Sequence, residues 1–298
     1  MTSASLTSRA MLVTLSVSSW TARRFDRDAS NDVTTRHHAE SGVARVNKLL
    51  VPKETLAPVA SAGDAARAEH YKRTLPWADD GARILAASGY FAYRDAMADH
   101  KAAFARTVDT FLDQYAAHRA SAPRQLGDLY RAADYPESWT LADKFAISWH
   151  VSPLPSGADF RVDLGDDVQT KLAAEIEERT RATVAAATAD AWDRVRRVVG
   201  HLGERLDQMK ATGEGERAPR LYESTLANIL QVADLLPALN VNGDPEMDRI
   251  GREIRARFAG YDVTVLRTST TAREKAAADV AAILAAMAPP APMSFAAE

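Results

Sequence analysis

The stretch AWDRVRRVVGHLGERLDQM, residues 191–209, carries the clearest structural signal in the chain. Its apolar residues recur at alternating spacings of three and four, which is typical of a helix with one apolar stripe. The stripe consists of Trp192, Val195, Val199, Leu202, Leu206 and Met209. We predict a long helix from residue 166 to about residue 209. Its stripe packs either against another helix of the same chain or against a second copy of the chain.

The segments around this helix predict more helices and a few short strands. Residues 10–18 alternate apolar and polar side chains, as a half-buried strand does. Residues 145–151 and 159–164 flank a Pro/Ser/Gly loop and predict a β-hairpin, and YDVTVLR (261–267) predicts a short strand. Residues 76–85 predict a turn or the start of a helix. The further helices are expected at 19–38, 64–75, 90–120, 124–133, 137–145, 220–236, 245–259 and 270–288, with Asp244 as an N-cap before Pro245.

This order of elements predicts an α+β fold that is predominantly helical. The strands do not alternate with helices, so we expect a small antiparallel sheet with a hairpin, beside long amphipathic helices that include a helical hairpin. We divide the chain into a disordered N-terminus (1–9), an α+β core (10–165), a long-helix region continuous with that core (166–288) and a disordered tail (289–298).

The composition excludes several classes of function. The chain has 298 residues, a formal net charge of −3 and no cysteine, so disulfides, thiolate nucleophiles and cysteine-bound zinc are excluded. The chain contains neither the GxxxxGK(S/T) motif nor the GxGxxG motif of phosphate-binding loops, so no nucleotide cofactor is expected. The seven histidines are scattered along the sequence, so no metal is expected either. No apolar stretch is long enough to cross a membrane, and the N-terminal residues do not form a signal peptide. We therefore expect a cytoplasmic protein.

Four segments together resemble an uncharacterised protein family that phages and prophages encode. They are LVTLSVSSWTARRFD, HYKRTLPWADDGARIL, DFRVDLGDD and LLPALNVNGDP, and the likeness spans about residues 10–260. The family has no assigned activity, so the resemblance transfers no functional residue. It implies an origin in a phage or prophage, the cytoplasm of the host cell as location, and a AAA+ ATPase as a possible partner.

A basic strip runs from residue 36 to residue 53. It overlaps the end of the segment 21–40, in which four arginines are balanced by four acids. Between residues 36 and 53 only Glu40 opposes the cations, which are Arg36, Arg45, Lys48 and Lys53. A local surplus of positive charge beside an aromatic ring is what binding of single-stranded nucleic acid requires. These four residues are therefore candidate contacts, with Trp20 and Trp77 as candidate aromatic rings. The alternative is a solvated surface with no ligand.

The segment LPWADDGARIL (75–85) is a second candidate binding site. Trp77 lies there beside Asp79 and Asp80 on a predicted surface turn, and such loops often bind ligands or partners. The alternative is structural, with the tryptophan covering the core and the two aspartates capping a helix.

Three functions follow from these features. The leading hypothesis is a non-catalytic, phage-related accessory protein that forms homo-oligomers and binds either nucleic acid, with single-stranded DNA as the specific candidate, or an ATPase partner. The second is an enzyme with an acidic site, which predicts that two pairs of neighbouring carboxylates converge in one cleft. These are Asp79 with Asp80 and Asp166 with Asp167. The third is a structural component of the virion.

Overall fold

A computed structural model describes residues 6–79, 81–157, 166–211 and 221–287. The chain divides into two compact units. The first comprises Met1–Thr14, Lys72–Ala92 and Val151–Glu298, and the second comprises Leu15–Tyr71 and Tyr93–His150. Each unit is therefore built from segments that are separated in the sequence. Most of the described residues are helical and the paired strands are antiparallel, which confirms the predicted α+β class with predominant helix.

Short strands and mostly longer helices make up the described part of the chain. The strands are β1 Ala10–Ser18, β2 Arg23–Asp26, β3 Val46–Leu49, β4 Leu75–Pro76, β5 Ala82–Ala86 and β6 Ala146–Pro153. The helices are α1 Arg27–Arg36, α2 Lys53–Arg73, α3 Tyr90–Leu126, α4 Ser138–Ala142, α5 Asp166–Ala211, α6 Glu223–Leu239, α7 Pro245–Phe258, α8 Val263–Thr268 and α9 Thr270–Ala286. Short 3₁₀ turns lie at Ala87–Gly89, Gly127–Leu129 and Ala132–Asp134.

Strand β1 is the strand predicted at residues 10–18. It belongs to a four-stranded sheet in the order β4-β5-β1-β6 and pairs antiparallel with β5, where Leu12 lies opposite Ile84. Both side chains are buried. Further along β1, Val13 is buried and Leu15 and Val17 are half-buried, whereas Ser16 and Ser18, which alternate with them, are exposed. The alternation that predicts a half-buried strand is therefore confirmed.

Among the described residues of 76–85, a turn lies between two short strands and no helix starts. Strands β4 and β5 run antiparallel on either side of the turn, with Leu75 opposite Ile84. Gly81 has a φ of +93°, a conformation that glycine adopts without strain. The apolar side chains of Ile84 and Leu85, which follow the turn in β5, are fully buried. Burial in the sheet outweighs the local signals for a helix start.

Helix α5 confirms the long helix expected from residue 166 and extends it to residue 211. Its stripe is covered within the first unit, where α5 packs against α6 and α9. The fully buried residues of the stripe are Val195, Val199, Leu202 and Leu206. Of the two alternatives for this stripe, packing within the chain is thus confirmed. The packing of α5 against α6, the next helix along the chain, is that of the predicted helical hairpin, and α6 packs in turn against α7.

Aspartates cap helices α7 and α8 of the first unit. The Oδ1 atom of Asp244 accepts a hydrogen bond from Glu246 N at 2.9 Å, and Pro245 is the first residue of α7, as predicted. The strand predicted at 261–267 is wrong. Asp262 Oδ1 accepts bonds from Thr264 N and Val265 N at 2.6 and 3.2 Å, and this cap starts helix α8. A helix cap here overrides a brief apolar alternation.

The core of the second unit is built on helix α3. The helix predicted at 90–120 is confirmed, and its buried apolar side chains are those of Tyr93, Met97, Phe104, Val108, Phe111 and Tyr115. Trp20 packs against Phe111 and Tyr115, with ring centroids 6.1 and 5.9 Å apart. It is therefore a packing residue rather than the exposed ring that the basic strip calls for. The helix predicted at 124–133 is replaced by the end of α3 and two 3₁₀ turns.

The helix predicted at 19–38 is wrong in its first half. Residues 23–26 form β2, which pairs antiparallel with β3, and α1 begins only at Arg27. Asp26 ends the strand and caps the helix, because its Oδ1 accepts a hydrogen bond from Ala29 N at 3.0 Å.

The strand β6 confirms the first arm of the hairpin predicted near residue 150, while the second arm, 159–164, lies outside the described residues. No helix in the described ranges combines the length and apolar content needed to cross a bilayer.

Candidate nucleic-acid interface

Strands β2 and β3 form a two-stranded ribbon whose two faces differ in character. In an antiparallel pair, residues that lie opposite each other project to the same face. Arg24 lies opposite Lys48 on one face, and Phe25 lies opposite Asn47 on the other. We call the exposed side the ribbon face. It consists of Arg23, Phe25, Arg45, Asn47 and Leu49, all of which are exposed.

The opposite face carries a buried ion cluster made of Asp26, Lys48 and Asp134. The Lys48 Nζ donates a hydrogen bond to Asp26 Oδ2 at 2.8 Å and another to the Leu129 carbonyl at 2.7 Å. It also lies 2.7 Å from Asp134 Oδ2 and forms an ion pair with this carboxylate. The lysine side chain is only 2% exposed. An ammonium group in such a site is stabilised by the oxygens around it.

The pKa values of the cluster follow from these contacts. The pKa of Asp26 is lowered, first by the hydrogen bond from the Ala29 backbone N–H and then by the bond from Lys48. For Lys48, burial alone lowers the pKa, but the contacts with Asp134 and Asp26 outweigh burial and raise it. Both residues are therefore charged near neutral pH. The cluster holds β3 against the segment around residues 129–134.

Phe25 is the centre of the ribbon face. Its side chain is 43% exposed, which is a large exposure for a phenylalanine in a strand. The guanidinium carbon of Arg45 lies 5.1 Å from the centroid of the Phe25 ring, within the range of a cation–π interaction. An aromatic ring and a guanidinium plane together offer a flat surface on which a base can stack.

The arginines of the ribbon face have no carboxylate partner in the described part of the chain. Neither Arg23 nor Arg45 forms an ion pair there. By contrast, Arg24 lies 3.4 Å from Asp134, and Arg36 lies 2.9 Å from Asp32. The ribbon face therefore carries two uncompensated positive charges next to an exposed ring, although the whole chain has a net charge of −3.

The structure separates the four cations of the predicted basic strip. Arg45 lies on the ribbon face, and Lys53 is exposed at the first turn of α2. Arg36 is exposed at the end of α1, but its charge is paired with Asp32. The prediction that Lys48 is a surface contact is wrong, since this lysine is buried in the ion cluster. A charge count along the sequence cannot distinguish these environments.

The second predicted site lies in the first unit. Trp77 is half-buried and packs against the hydrophobic cluster of that unit, as the structural alternative expects. The helix cap of that alternative is wrong for Asp79, which is exposed on a turn between two strands. Asp80 lies outside the described residues, as does the side chain of Asp166, while Asp167 is exposed at the start of α5. Among the side chains that the structure describes, no three His, Asp or Glu are grouped so that they could hold a metal ion.

Sequence reasoning missed Phe25, Arg23 and Asn47. Arg23 and Phe25 alternate with buried Asp26 and with Arg24 in the RRFD segment, and Asn47 precedes Lys48 in VNKL. The alternation is only four residues long in each strand, too short to outweigh the helical charge spacing around it.

Comparison of the chain with protein families, with curated proteins and with solved structures finds no match. The resemblance to a phage-encoded family therefore stays a prediction.

Proposed function

We propose that this protein binds single-stranded nucleic acid through the ribbon face. The observation that carries the proposal is the exposed ring of Phe25, with Arg45 over it and Arg23 two residues before it, both arginines without a carboxylate partner in the described ranges. The ring would stack with a base, and the two guanidinium groups would contact phosphates. This combination of stacking and charge is how proteins bind single strands with little sequence preference.

A single strand fits this surface better than a duplex does. The faces of the bases are covered by stacking in a duplex, so a ring such as that of Phe25 can reach them only in a single strand. The ribbon also carries too few cations to follow both backbones of a duplex. Phosphate contacts from two arginines supply modest, salt-sensitive affinity, so stacking on Phe25 must contribute much of the binding.

The cellular role is a non-catalytic accessory function in a phage-related system, in the cytoplasm of the host. This part of the proposal depends on the resemblance to the phage-encoded family, as does a AAA+ ATPase partner. Self-association through the stripe of α5 is not included, because that stripe is buried within the first unit.

The test is fluorescence anisotropy with short labelled single-stranded oligonucleotides, in DNA and RNA form, at low salt. Phe25→Ala should weaken binding by about 1–3 kcal/mol, the usual range for loss of one stacked base. This corresponds to a Kd about 5 to 150 times higher. Arg45→Ala should also weaken binding, and it should reduce the slope of log K against log salt by about 0.7, the value for one lost phosphate contact on a single strand.

Two matched variants control for exposure and charge. Trp139→Ala removes an aromatic side chain of the same unit that is 77% exposed. Arg106→Ala removes an exposed arginine of α3 that has no ion pair within the described residues. Both should bind as the native protein does. The proposal fails if the native protein shows no binding at low salt, or if Trp139→Ala and Arg106→Ala weaken binding as much as the ribbon variants.

A further inference from the structure

Asn47 occupies a special position on the ribbon face, directly opposite Phe25. Leu50 N donates to Ala22 O at 2.8 Å, and the pairs of an antiparallel ladder alternate, so Phe25 and Asn47 form a non-hydrogen-bonded pair. Side chains approach each other most closely in such pairs. The amide of Asn47 therefore projects beside the ring of Phe25, on the same exposed face.

The amide of Asn47 is available to a ligand. Its side chain is exposed, and it makes no hydrogen bond to any part of the chain that the structure describes. A carboxamide presents one acceptor oxygen and an NH₂ donor in one plane. Such a group can pair with two adjacent atoms on the edge of a base, one a donor and the other an acceptor. Phe25 offers nothing comparable, because a phenyl ring distinguishes bases only by how well they stack.

We propose that Asn47 reads the edge of the base that stacks on Phe25 and makes this site prefer adenine. The inference rests on the proposed binding of single strands. Adenine offers a donor next to an acceptor on two edges, N6 with N7 and N6 with N1, and pairing of asparagine with adenine N6 and N7 is the common mode of adenine recognition. A purine also stacks over a larger area than a pyrimidine does. Edge readout and stacking thus favour the same base.

The test must separate edge readout from stacking. Deoxynebularine is a purine nucleoside that lacks the N6 amino group, so it stacks much as adenine does but cannot pair with a carboxamide in the same way. Binding of an oligonucleotide of deoxyadenosine is therefore compared with binding of the same length of deoxynebularine. The native protein should prefer adenine by about 5- to 150-fold, the range for a good bidentate contact.

Asn47→Ala should bind the two oligonucleotides equally, and binding of the nebularine strand should stay close to that of the native protein. Asn31→Ala changes another exposed asparagine of the second unit and should keep the full preference. A preference that survives in Asn47→Ala, or that is absent in the native protein, overturns the inference, while a loss of affinity in Phe25→Ala still supports binding at the ribbon face. If the native protein binds neither strand, both the inference and the proposed function fall.

Discussion

Lys48→Met removes the ammonium group of the ion cluster and keeps an unbranched side chain of similar length. In the native protein, Asp26 Oδ2 and Asp134 Oδ2 lie 2.8 and 2.7 Å from Lys48 Nζ, so these two oxygens are at most 5.5 Å apart, the sum of the two distances. Without the ammonium group the two carboxylates repel each other where little water can reach them. The Leu129 carbonyl also loses the donor that now lies at 2.7 Å. We expect a clear loss of stability.

The size of the loss can be bounded from the remaining contacts. Removal of one partner from a buried ion pair costs about 3–5 kcal/mol. Asp26 keeps its hydrogen bond from Ala29 N, which moderates the cost on that side. Asp134 keeps Arg24 at 3.4 Å, but the Arg24 side chain is 65% exposed and such a pair contributes little. We therefore expect the free energy of unfolding to fall by about 3 kcal/mol, near the lower end of the range.

Urea denaturation followed by circular dichroism measures this change. With a slope of about 2–3 kcal/mol per molar urea, the midpoint for Lys48→Met should fall by about 1–1.5 M. The control is the triple variant Asp26→Asn/Lys48→Met/Asp134→Asn, in which no carboxylate is left without a partner and an asparagine can still cap α1. It should recover at least half of the loss. A midpoint for Lys48→Met within about 0.3 M of the native value would refute the reasoning.

The pH dependence of the same cluster has a definite sign. The pKa of Asp26 is lowered from its usual 3.8, so its contribution to stability is present above pH 3.8 and is lost as the pH falls through the lowered value. The pKa of Lys48 is raised from its usual 10.5, so its contribution is present below pH 10.5 and is lost as the pH rises through the raised value. The stability difference between the native protein and the triple variant should therefore be largest between these limits.

Four further predictions concern the packing and capping of the chain, and thermal denaturation checks each of them. Gly200→Ala should stabilise the protein by about 0.5–1 kcal/mol, because a Cβ there meets nothing within 4 Å and alanine favours the helix. Gly203→Ala should gain less or nothing, because its Cβ would lie 3.0 Å from Val280 Cγ1. Asp244→Ala removes the cap of α7 and should cost about 1 kcal/mol. Tyr135→Phe removes a buried hydrogen bond of 2.8 Å to a backbone carbonyl and should also cost about 1 kcal/mol.

The long helices can be predicted from sequence because their signal is local and repeated. In α3 and α5 the apolar residues recur over many turns, and each turn adds evidence for the same face. The cap of α7 is predictable for a related reason, since Asp244 and Pro245 act within one turn of the helix. Local patterns of this kind do not depend on partners from elsewhere in the chain.

The ribbon could not be predicted because its charges have distant partners. Arg24 and Asp28 are four residues apart, the spacing of an ion pair on a helix, and this spacing favours a helix through residues 19–38. In the structure Arg24 instead contacts Asp134, and Asp28 pairs with Arg131. Both partners lie about a hundred positions further along the chain, at and beside a 3₁₀ turn. The spacing in the sequence therefore indicates a local ion pair on a helix, but in the structure both residues pair with residues far along the chain.

Once the strands are known, alternation assigns the roles that charge counting could not. Arg45 and Asn47 fall on the exposed face of the ribbon, while Lys48 falls on the buried one. One face therefore holds the ribbon in place and the other meets solvent. A surface fixed in this way loses little conformational freedom when it binds a ligand, which favours affinity. The two faces should also be separable by mutation. Phe25→Ala truncates a side chain that is 43% exposed and should change the free energy of unfolding by less than about 1 kcal/mol, whereas Lys48→Met should lower stability much more.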